Sequence, residues 1–378
     1  MSYSFEENAR LFVEELPYRQ GEYAGRNWGH PWHSLCSYHG KLKPAIAHFL
    51  VQAFTGEGDV VLDPLCGVGT IPLEACLQGR VGIGNDLSRM AYAVTKAKVE
   101  HPERESVDAA VENLGAYIEA HKREYCVTPL PYSDFGFNGK VPEYFHPDTY
   151  CEILAAREYF KNRELTPEEA MVLACFLHVL HGNRPYALSR NSHPLTPYKP
   201  TGEFVYKNVI GHIRNKLDLS YRKIEPDKLH TGKALCGDFH KIDSCFAGSV
   251  DAVITSPPFA GSMKFYIQNW LRLWCAGWEE TDYKQADTDF LEAKQKKSMD
   301  VYYDFFALCS KMLKPHGKVI LHLGHSRECN MADELEQRAR ERFHVVYRGA
   351  ENVEHMEKHG IKDKGATFEH QYLFLEKR

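Results

Sequence analysis

The chain has 378 residues, of which 43% are hydrophobic and 26% charged, and its formal net charge is −5. These values are typical of a soluble globular protein with one large or two small domains, and any polyanion-binding surface must therefore be local. The acidic N-terminal segment lacks the apolar core of a signal peptide, and no run approaches the roughly 18–20 apolar residues of a membrane span. The eleven cysteines are scattered without a C-x-x-C pair. We therefore expect a cytoplasmic protein without a disulfide scaffold, a metal site or a membrane partner.

The central motif runs from Val60 to Asp86 and reads as strand, glycine turn, helix and strand, which is half of a doubly wound α/β unit. A helix over 5–16 and a second helix over about 45–54 precede it. Glycines after a strand let a ligand lie against bare backbone, and the first N–H groups of the helix can bind a carboxylate or a phosphate. An acid at the end of the second strand is placed to hold ribose hydroxyls. The candidate cofactor-binding residues here are Asp63, Pro64, Cys66, Gly67, Gly69, Thr70, Asp86 and Leu87.

Two common nucleotide-binding patterns are excluded at this turn. The sequence Cys-Gly-Val-Gly-Thr at 66–70 fits neither the G-x-G-x-x-G of nicotinamide sites nor the G-x-x-x-x-G-K-[ST] of phosphate loops. The turn therefore calls for a different nucleoside-containing ligand.

Residues 102–230 interrupt the α/β alternation with predicted helices at about 104–124 and 168–181 and with proline-rich loops. Between Arg184 and Lys233 there are ten Lys or Arg against four acids, interleaved with aromatic residues. Such a stretch is typical of a nucleic-acid-binding surface, in which the cations contact phosphates and the aromatic rings stack on bases. The alternative is a solvated loop whose charge is balanced by acids elsewhere in the chain. The candidate substrate-binding residues are Arg184, Tyr186, Arg190 and Lys199.

The α/β pattern resumes at Lys233, where a short strand ends in Gly237-Asp238-Phe239. An acid at such a strand end can contact a ligand together with its neighbour, but Asp238 could equally cap the following turn. The remaining predicted elements are a helix over 263–277, a helix over 301–313, a turn over 315–317, a strand over 318–323, a helix over 332–342 and an antiparallel pair of strands over 344–348 and 367–376.

The second strong motif is a strand over 250–255 that leads directly into Ser256-Pro257-Pro258-Phe259. Each proline fixes its own φ and pushes the preceding residue into an extended conformation, so the tetrapeptide is stiff. Rigid display of a carbonyl and a ring at the carboxyl end of a central strand is typical of an active site. These four residues are the catalytic candidates.

The loop with Tyr38 and Lys41, the glycine turn, Asp86, Gly237-Asp238 and the Ser-Pro-Pro-Phe motif together resemble the DNA amino-methyltransferases, over roughly half of the chain. The resemblance implies a Rossmann-like, seven-stranded class I methyltransferase sheet and S-adenosylmethionine as cofactor. It implies that the loop of Tyr38 and Lys41 covers the methionine end and that Asp238 and Phe239 meet the adenine. It also implies a catalytic domain over 1–101 and 231–378, with a mostly helical target-recognition insertion over 102–230.

The resemblance further implies methyl transfer to the exocyclic amine of a base flipped out of duplex DNA. Ser256 Oγ and the Pro257 carbonyl would accept the two amine protons, while Phe259 would stack on the base. Serine at the first motif position is the variant associated with cytosine N4. Members of restriction-modification systems also have a cognate restriction endonuclease as a partner.

Several alternatives stay open. Adenine N6 differs from cytosine N4 by this one serine, and an RNA guanine-N2 methyltransferase has a similar glycine turn but usually Asp-Pro-Pro-Tyr or Asp-Pro-Pro-Phe and a further N-terminal domain. A protein-glutamine methyltransferase would prefer Asn-Pro-Pro-Tyr. A protein that only binds DNA, without catalysis, is the alternative from another class. C5-cytosine methylation is excluded because no cysteine follows a proline.

Overall fold

The computed structural model of the protein describes most of the chain. The described residues are 3–25, 28–38, 40–127, 134–182, 184–192, 197–222, 229–242, 244–262, 264–354, 357–358, 361–362 and 367–378.

The described residues form a seven-stranded sheet with the order β3-β2-β1-β4-β5-β7-β6. Strands β1 to β5 pair in parallel, whereas β7 runs antiparallel to both β5 and β6. This is the Rossmann-like class I methyltransferase sheet, so the predicted fold class is confirmed. The strands are β1 Val60–Asp63, β2 Val81–Asp86, β3 Lys233–Cys236, β4 Val250–Thr255, β5 Leu313–Ser326, β6 Phe343–Asn352 and β7 Thr367–Lys377, and a separate two-residue pair joins Glu357–Lys358 to Ile361–Lys362.

The sheet is covered by helices on both faces because its central strands are apolar on both sides. Val61 and Ile254 face a cluster shared with α1, α2 and α3, whereas Leu62 and Val253 face a cluster shared with α13 and α14. The described helices are α1 Phe5–Glu15, α2 Pro44–Phe54, α3 Thr70–Leu77, α4 Arg89–Val99, α5 Arg104–Val127, α6 Pro147–Lys161, α7 Pro167–Val179, α8 Val209–Tyr221, α9 Phe265–Gln268, α10 Trp270–Cys275, α11 Glu280–Asp289, α12 Leu291–Lys297, α13 Val301–Met312 and α14 Met331–Ala339.

The helices of the predicted insertion pack directly on the α/β part. Buried side chains of α5 to α8 form one apolar cluster with α4 and α10, in which Trp270 and Trp274 are fully enclosed. A disulfide between Cys126 and Cys151 joins α5 to α6, although the scattered cysteines gave no indication of a pair. The division into a catalytic domain and an insertion at 102–230 stays a prediction. Within the described ranges, none of the helices is long and apolar enough to cross a membrane.

Two predicted elements differ from the structure. The helix predicted over 263–277 is divided at Asn269 into α9 and α10. The turn predicted over 315–317 lies within the bounds of β5, where Leu313 and Lys318 have ladder partners on β4 and His316 between them has a left-handed φ of 57°. The strand therefore begins before the turn and continues after it.

Candidate active site

The glycine turn between β1 and α3 needs both of its glycines in a left-handed conformation. Gly67 has φ 52° and Gly69 has φ 67°, a region in which only glycine is unstrained. A Cβ on Gly69 would lie 2.7 Å from Thr95 Oγ1. The backbone N–H of Gly69 donates to the carbonyl of Cys66 at 2.9 Å, which closes the turn. Thr70 then begins α3 as a buried residue.

Asp86, at the end of β2, connects this turn to the start of α4. Oδ2 accepts the N–H of Gly67 at 2.9 Å and Oδ1 accepts the N–H of Ser88 at 2.8 Å. Burial raises the pKa of Asp86 to about 7, and the negative charge of Glu292 on α12 adds to the increase. Each carboxylate oxygen has two lone pairs, so one on each remains for a ribose hydroxyl.

The predicted neighbours of the turn support its shape. Asp63 Oδ1 accepts the N–H of Leu65 at 3.2 Å, and burial raises the pKa of this carboxyl to about 7. The Pro64 carbonyl accepts from Asn85 Nδ2 at 3.1 Å. Cys66 Sγ lies 3.5 Å from Thr95 Oγ1 under the turn. Leu87 is half-buried against the large apolar cluster.

Tyr38 lies over the glycine turn, and Lys41 holds the loop in place. The Tyr38 ring stacks on Phe265 of α9 at 5.0 Å, and its hydroxyl is 3.3 Å from where a Cβ on Gly67 would lie. Lys41 Nζ donates to the His33 carbonyl at 2.6 Å, and burial lowers the pKa of Lys41 to about 8. The structure therefore brings the Tyr38 loop to the predicted cofactor turn.

The Ser-Pro-Pro-Phe motif begins beside this turn because β1 and β4 are neighbouring parallel strands, with Leu62 opposite Val253. Ser256 Oγ lies 2.9 Å from Nδ1 of His322 on β5. The Pro258 carbonyl accepts from Gln295 Nε2 at 2.9 Å. Pro257 is buried between them.

Phe259 packs on the backbone of β5. A Cβ on Gly324 would lie 2.5 Å from the Phe259 ring, so only glycine allows this approach. The rings of His322 and His370 lie 5.4 and 5.8 Å from the Phe259 ring. Phe259 stays partly exposed.

Helix α12 contributes three polar residues that sequence reasoning missed. Gln295 holds Pro258, and Glu292 Oε1 accepts the N–H of Phe265 at 3.0 Å. Lys294 Nζ lies 3.2 Å from Asp238 Oδ2. The segment 279–289 before this helix stood out in the sequence only as an acidic stretch. The pattern that could have revealed α12 from the sequence is the amphipathic stretch over 291–297 that follows this segment.

Asp238 caps the turn that follows β3. Its Oδ1 accepts the N–H of His240 at 3.0 Å, which is the capping alternative left open from the sequence. Phe239 is 5% exposed and packs beside Phe305 at 6.2 Å. Contact of these two residues with an adenine stays a prediction.

The four predicted substrate-binding residues fall into two groups, and the first reaches the Tyr38 loop. Arg184 Nη1 donates to the Tyr186 hydroxyl at 2.5 Å, and the Tyr186 ring stacks on His178 at 5.6 Å. His178 Nδ1 in turn accepts the N–H of Ser37 at 3.1 Å. The basic loop is thus connected to the predicted cofactor loop through His178 of α7.

The second group is a surface patch formed by the described residues of 189–192 and 197–207. Arg190 lies over the Phe204 ring at 4.2 Å and donates to the Gly202 carbonyl at 2.9 Å. Lys199 is exposed, as are Tyr198 and Tyr206, at 54% and 47%. A surface cavity of about 260 Å³ lies within the patch. The apolar rings beside cations are the feature that nucleic-acid binding would use.

The sheet order, the glycine turn and its paired acid define a class I methyltransferase fold with a site for S-adenosylmethionine. The residues suit this cofactor, because two glycines without side chains, an overlying tyrosine and spare lone pairs on Asp86 are groups that would contact a nucleoside bound there.

Comparison with known proteins agrees with this class. Residues 31–123 match the family model described as an RMKL-like methyltransferase domain, and this range includes Tyr38, the turn and Asp86. No curated protein matches the chain.

Solved structures show only distant similarity. TrmN from Thermus thermophilus is 13% identical with a TM-score of 0.36, over 92% of this chain and 52% of its own. The chain thus spans about half the length of that protein. The rRNA methyltransferase aviRa from Streptomyces viridochromogenes is 11% identical with a TM-score of 0.36, over 95% of this chain and 93% of its own. These similarities are too weak to indicate a substrate.

Proposed function

We propose that this protein transfers the methyl group of S-adenosylmethionine to the exocyclic amine of a base flipped out of DNA, with cytosine N4 as the acceptor. The observation that carries the proposal is the position of Ser256 at the end of β4, beside the glycine turn at the end of β1. Neighbouring parallel strands end at the same edge of the sheet, where ligands bind in doubly wound folds.

The proposed chemistry depends on positioning rather than on a strong base. When bound, the cofactor supplies an electrophilic methyl group. The exocyclic amine is a weak nucleophile because its lone pair is delocalised into the ring. Ser256 Oγ and the Pro257 carbonyl accept the amine protons, tilt the nitrogen toward a tetrahedral geometry and free the lone pair for attack. Holding the two reactants in this geometry accounts for up to roughly 7–11 kcal/mol of the barrier.

Two features of the motif favour this role. Gln295 donates a hydrogen bond to the Pro258 carbonyl, and the β5 backbone packs against Phe259, so the tetrapeptide is a rigid frame. Phe259 keeps an exposed part of its ring on which a base can stack. Unstacking a base from the duplex costs a few kcal/mol. Contact of the base with the Phe259 ring offsets this cost.

DNA as the partner is supported by the basic loop. Arg184 and Tyr186 connect through His178 to the residue before Tyr38, so a strand bound there would lead toward the cofactor turn. Lys199 and the exposed rings of Tyr198 and Tyr206 extend this surface. Binding is expected to weaken as salt increases, because released counterions contribute most of the affinity for phosphates.

The test is methyl transfer from tritiated S-adenosylmethionine to duplex DNA, single-stranded DNA and RNA, followed by mass spectrometry of the nucleosides. Ser256→Ala is expected to lower kcat about 100-fold while the cofactor affinity stays unchanged, because a small loss of alignment has an effect of this size. Ser249→Ala is the matched control. Ser249 precedes the amino end of β4, where its hydroxyl donates to the Phe246 carbonyl.

Each outcome has a clear meaning. N4-methylcytosine in DNA supports the proposal, and N6-methyladenine would retain the mechanism but change the base. Methylated guanosine in RNA would favour the RNA alternative instead. Cofactor binding without transfer to any of the three polymers would contradict the enzyme assignment, and full activity of Ser256→Ala would remove the role of the motif.

A further inference from the structure

We propose that His322 is a positioning residue whose Nδ1 accepts the hydrogen bond of the Ser256 hydroxyl, so that a lone pair of Ser256 Oγ, rather than its proton, faces the amine of the substrate. The inference rests on the proposed function, because it explains how a serine acts as the acceptor there. His322 lies outside every motif of the sequence.

The contact between the two side chains follows from the sheet. Thr255 on β4 pairs with Leu321 on β5, so Ser256 and His322 are the next residues on neighbouring strands. Ser256 Oγ and His322 Nδ1 are 2.9 Å apart, which is a good hydrogen-bond distance.

The imidazole is fixed in place by the residues around it. Its side chain is 4% exposed, and the rings of Phe259, His370 and Tyr372 lie 5.4, 4.8 and 5.3 Å away. Nε2 is buried and has no hydrogen-bond partner among the described residues. Among the described residues, the hydrogen-bond partner of this ring is therefore Ser256.

The position of one proton decides what Ser256 can do. A hydroxyl has one donor and two acceptor lone pairs. If Nδ1 is bare, Ser256 donates to it and both lone pairs remain free, so that one of them accepts an N–H of the amine while the Pro257 carbonyl accepts the other. If Nδ1 carries the proton, it uses one lone pair, and the serine proton is left to oppose an amine proton. The first arrangement makes Ser256 purely an acceptor toward the substrate, as the reaction needs.

The surroundings keep the ring neutral, which the first arrangement requires. Burial holds the pKa of His322 well below its ordinary value, and the neighbouring His370 adds to the effect. Tyr372, from the same strand as His370, is the other titratable group in contact, and burial raises its pKa. None of these groups supplies a negative charge that would stabilise an imidazolium.

The kinetic test is a double-mutant cycle with Ser256→Ala and His322→Phe on the full chain. His322→Phe is expected to lower kcat roughly tenfold, the effect of losing one hydrogen bond, without changing KM for the cofactor. In the Ser256→Ala background it is expected to have no further effect. His322→Asn, whose amide oxygen can take the place of Nδ1, should restore part of the rate. If the rate losses of the two single variants multiply in the double variant, the role of His322 is merely structural.

His325→Phe is the matched control, because His325 lies on the same strand and its Nδ1 contacts Glu369 at 2.7 Å rather than Ser256. This variant is expected to keep the wild-type kcat. A loss equal to that of His322→Phe would overturn the proposal.

A second measurement is independent of activity. Nitrogen-15 NMR of histidine-labelled protein reports which ring nitrogen carries the proton. We expect a bare Nδ1 on His322 whose resonance moves in Ser256→Ala, and a protonated Nδ1 in the wild type would overturn the proposal. If the wild type methylates no nucleic acid, the proposed function fails, but the NMR result still decides where the serine proton lies.

Discussion

Replacing Gly69 with alanine tests how closely the glycine turn is packed. Gly69 has φ 67°, and an added Cβ would lie 2.7 Å from Oγ1 and 2.8 Å from Cγ2 of Thr95. Thr95 is fully buried in α4, and its branched side chain has few alternative rotamers in a helix. The alanine therefore introduces both backbone strain and a steric overlap that cannot relax by moving a flexible side chain.

The two contributions can be separated with a matched variant. A non-glycine residue in the left-handed region costs about 1–2 kcal/mol, and an extra carbon in a well-packed interior costs about 1–3 kcal/mol more. Gly58→Ala has only the first cost, because Gly58 has φ 80° and no described atom lies within 4 Å of its added Cβ. We therefore expect Gly69→Ala to lose about 2–5 kcal/mol of unfolding free energy and Gly58→Ala about 1–2 kcal/mol.

The assay is urea denaturation of both variants, with cofactor affinity measured by calorimetry. Gly69→Ala is expected to bind S-adenosylmethionine more weakly, whereas Gly58→Ala binds it normally. Thr95→Ala removes Oγ1 and Cγ2 but leaves the Thr95 Cβ 3.0 Å from the added carbon, so it should reduce the cost of Gly69→Ala without lowering it fully to that of Gly58→Ala. Equal losses in the two single variants, or no relief from the Thr95 change, would refute the packing argument.

Two further predictions concern buried carboxyls. Burial raises the pKa of Asp63 to about 7 from 3.8, so its stabilising contribution is complete below about pH 4 and is lost as the pH rises through 7. Cofactor-free Asp63→Asn should gain stability relative to the wild type over this window, by up to about 4 kcal/mol, and a difference independent of pH would contradict the shift. For Glu74, burial would raise the pKa, but hydrogen bonds from His33 and His48 outweigh burial and lower the pKa to about 2. Glu74→Gln should therefore lose about 3 kcal/mol in thermal or urea unfolding at pH 7. This loss should shrink as the pH falls from about 4.5 toward 2, unlike that of an exposed Glu→Gln control such as Glu105→Gln.

The parts of the molecule with local signals were predicted well. Strands β1 and β4 are short apolar runs that end at a turn or at prolines, and α7 begins with a capping box between Thr166 and Glu169. Such features depend on residues within a few positions of one another. The order of elements indicated an α/β fold, and the resemblance that the motifs carry implied the class I sheet.

The failures lie where the local pattern competes with long-range pairing. Residues 315–317 were predicted as a turn, and His316 has a left-handed φ of 57°, but the local pattern did not show that Leu313 and Lys318 on either side pair with β4. The apolar run over 263–277 fits one helix, but the chain is divided at Asn269, where α10 begins. The partners that decide these bounds are distant in sequence.

The sequence by itself determined the glycine turn and the stiff Ser-Pro-Pro-Phe segment, because each is encoded by a contiguous run of residues, and the resemblance that these motifs carry implied the fold class. Only the tertiary structure decided that His322 Nδ1 lies within hydrogen-bond distance of Ser256 Oγ and that Gln295 donates to the Pro258 carbonyl. His322 follows Ser256 by 66 positions, and its place depends on the register between β4 and β5. The physical reason is that a side chain's partners are set by strand pairing and helix packing, which no short stretch of sequence specifies.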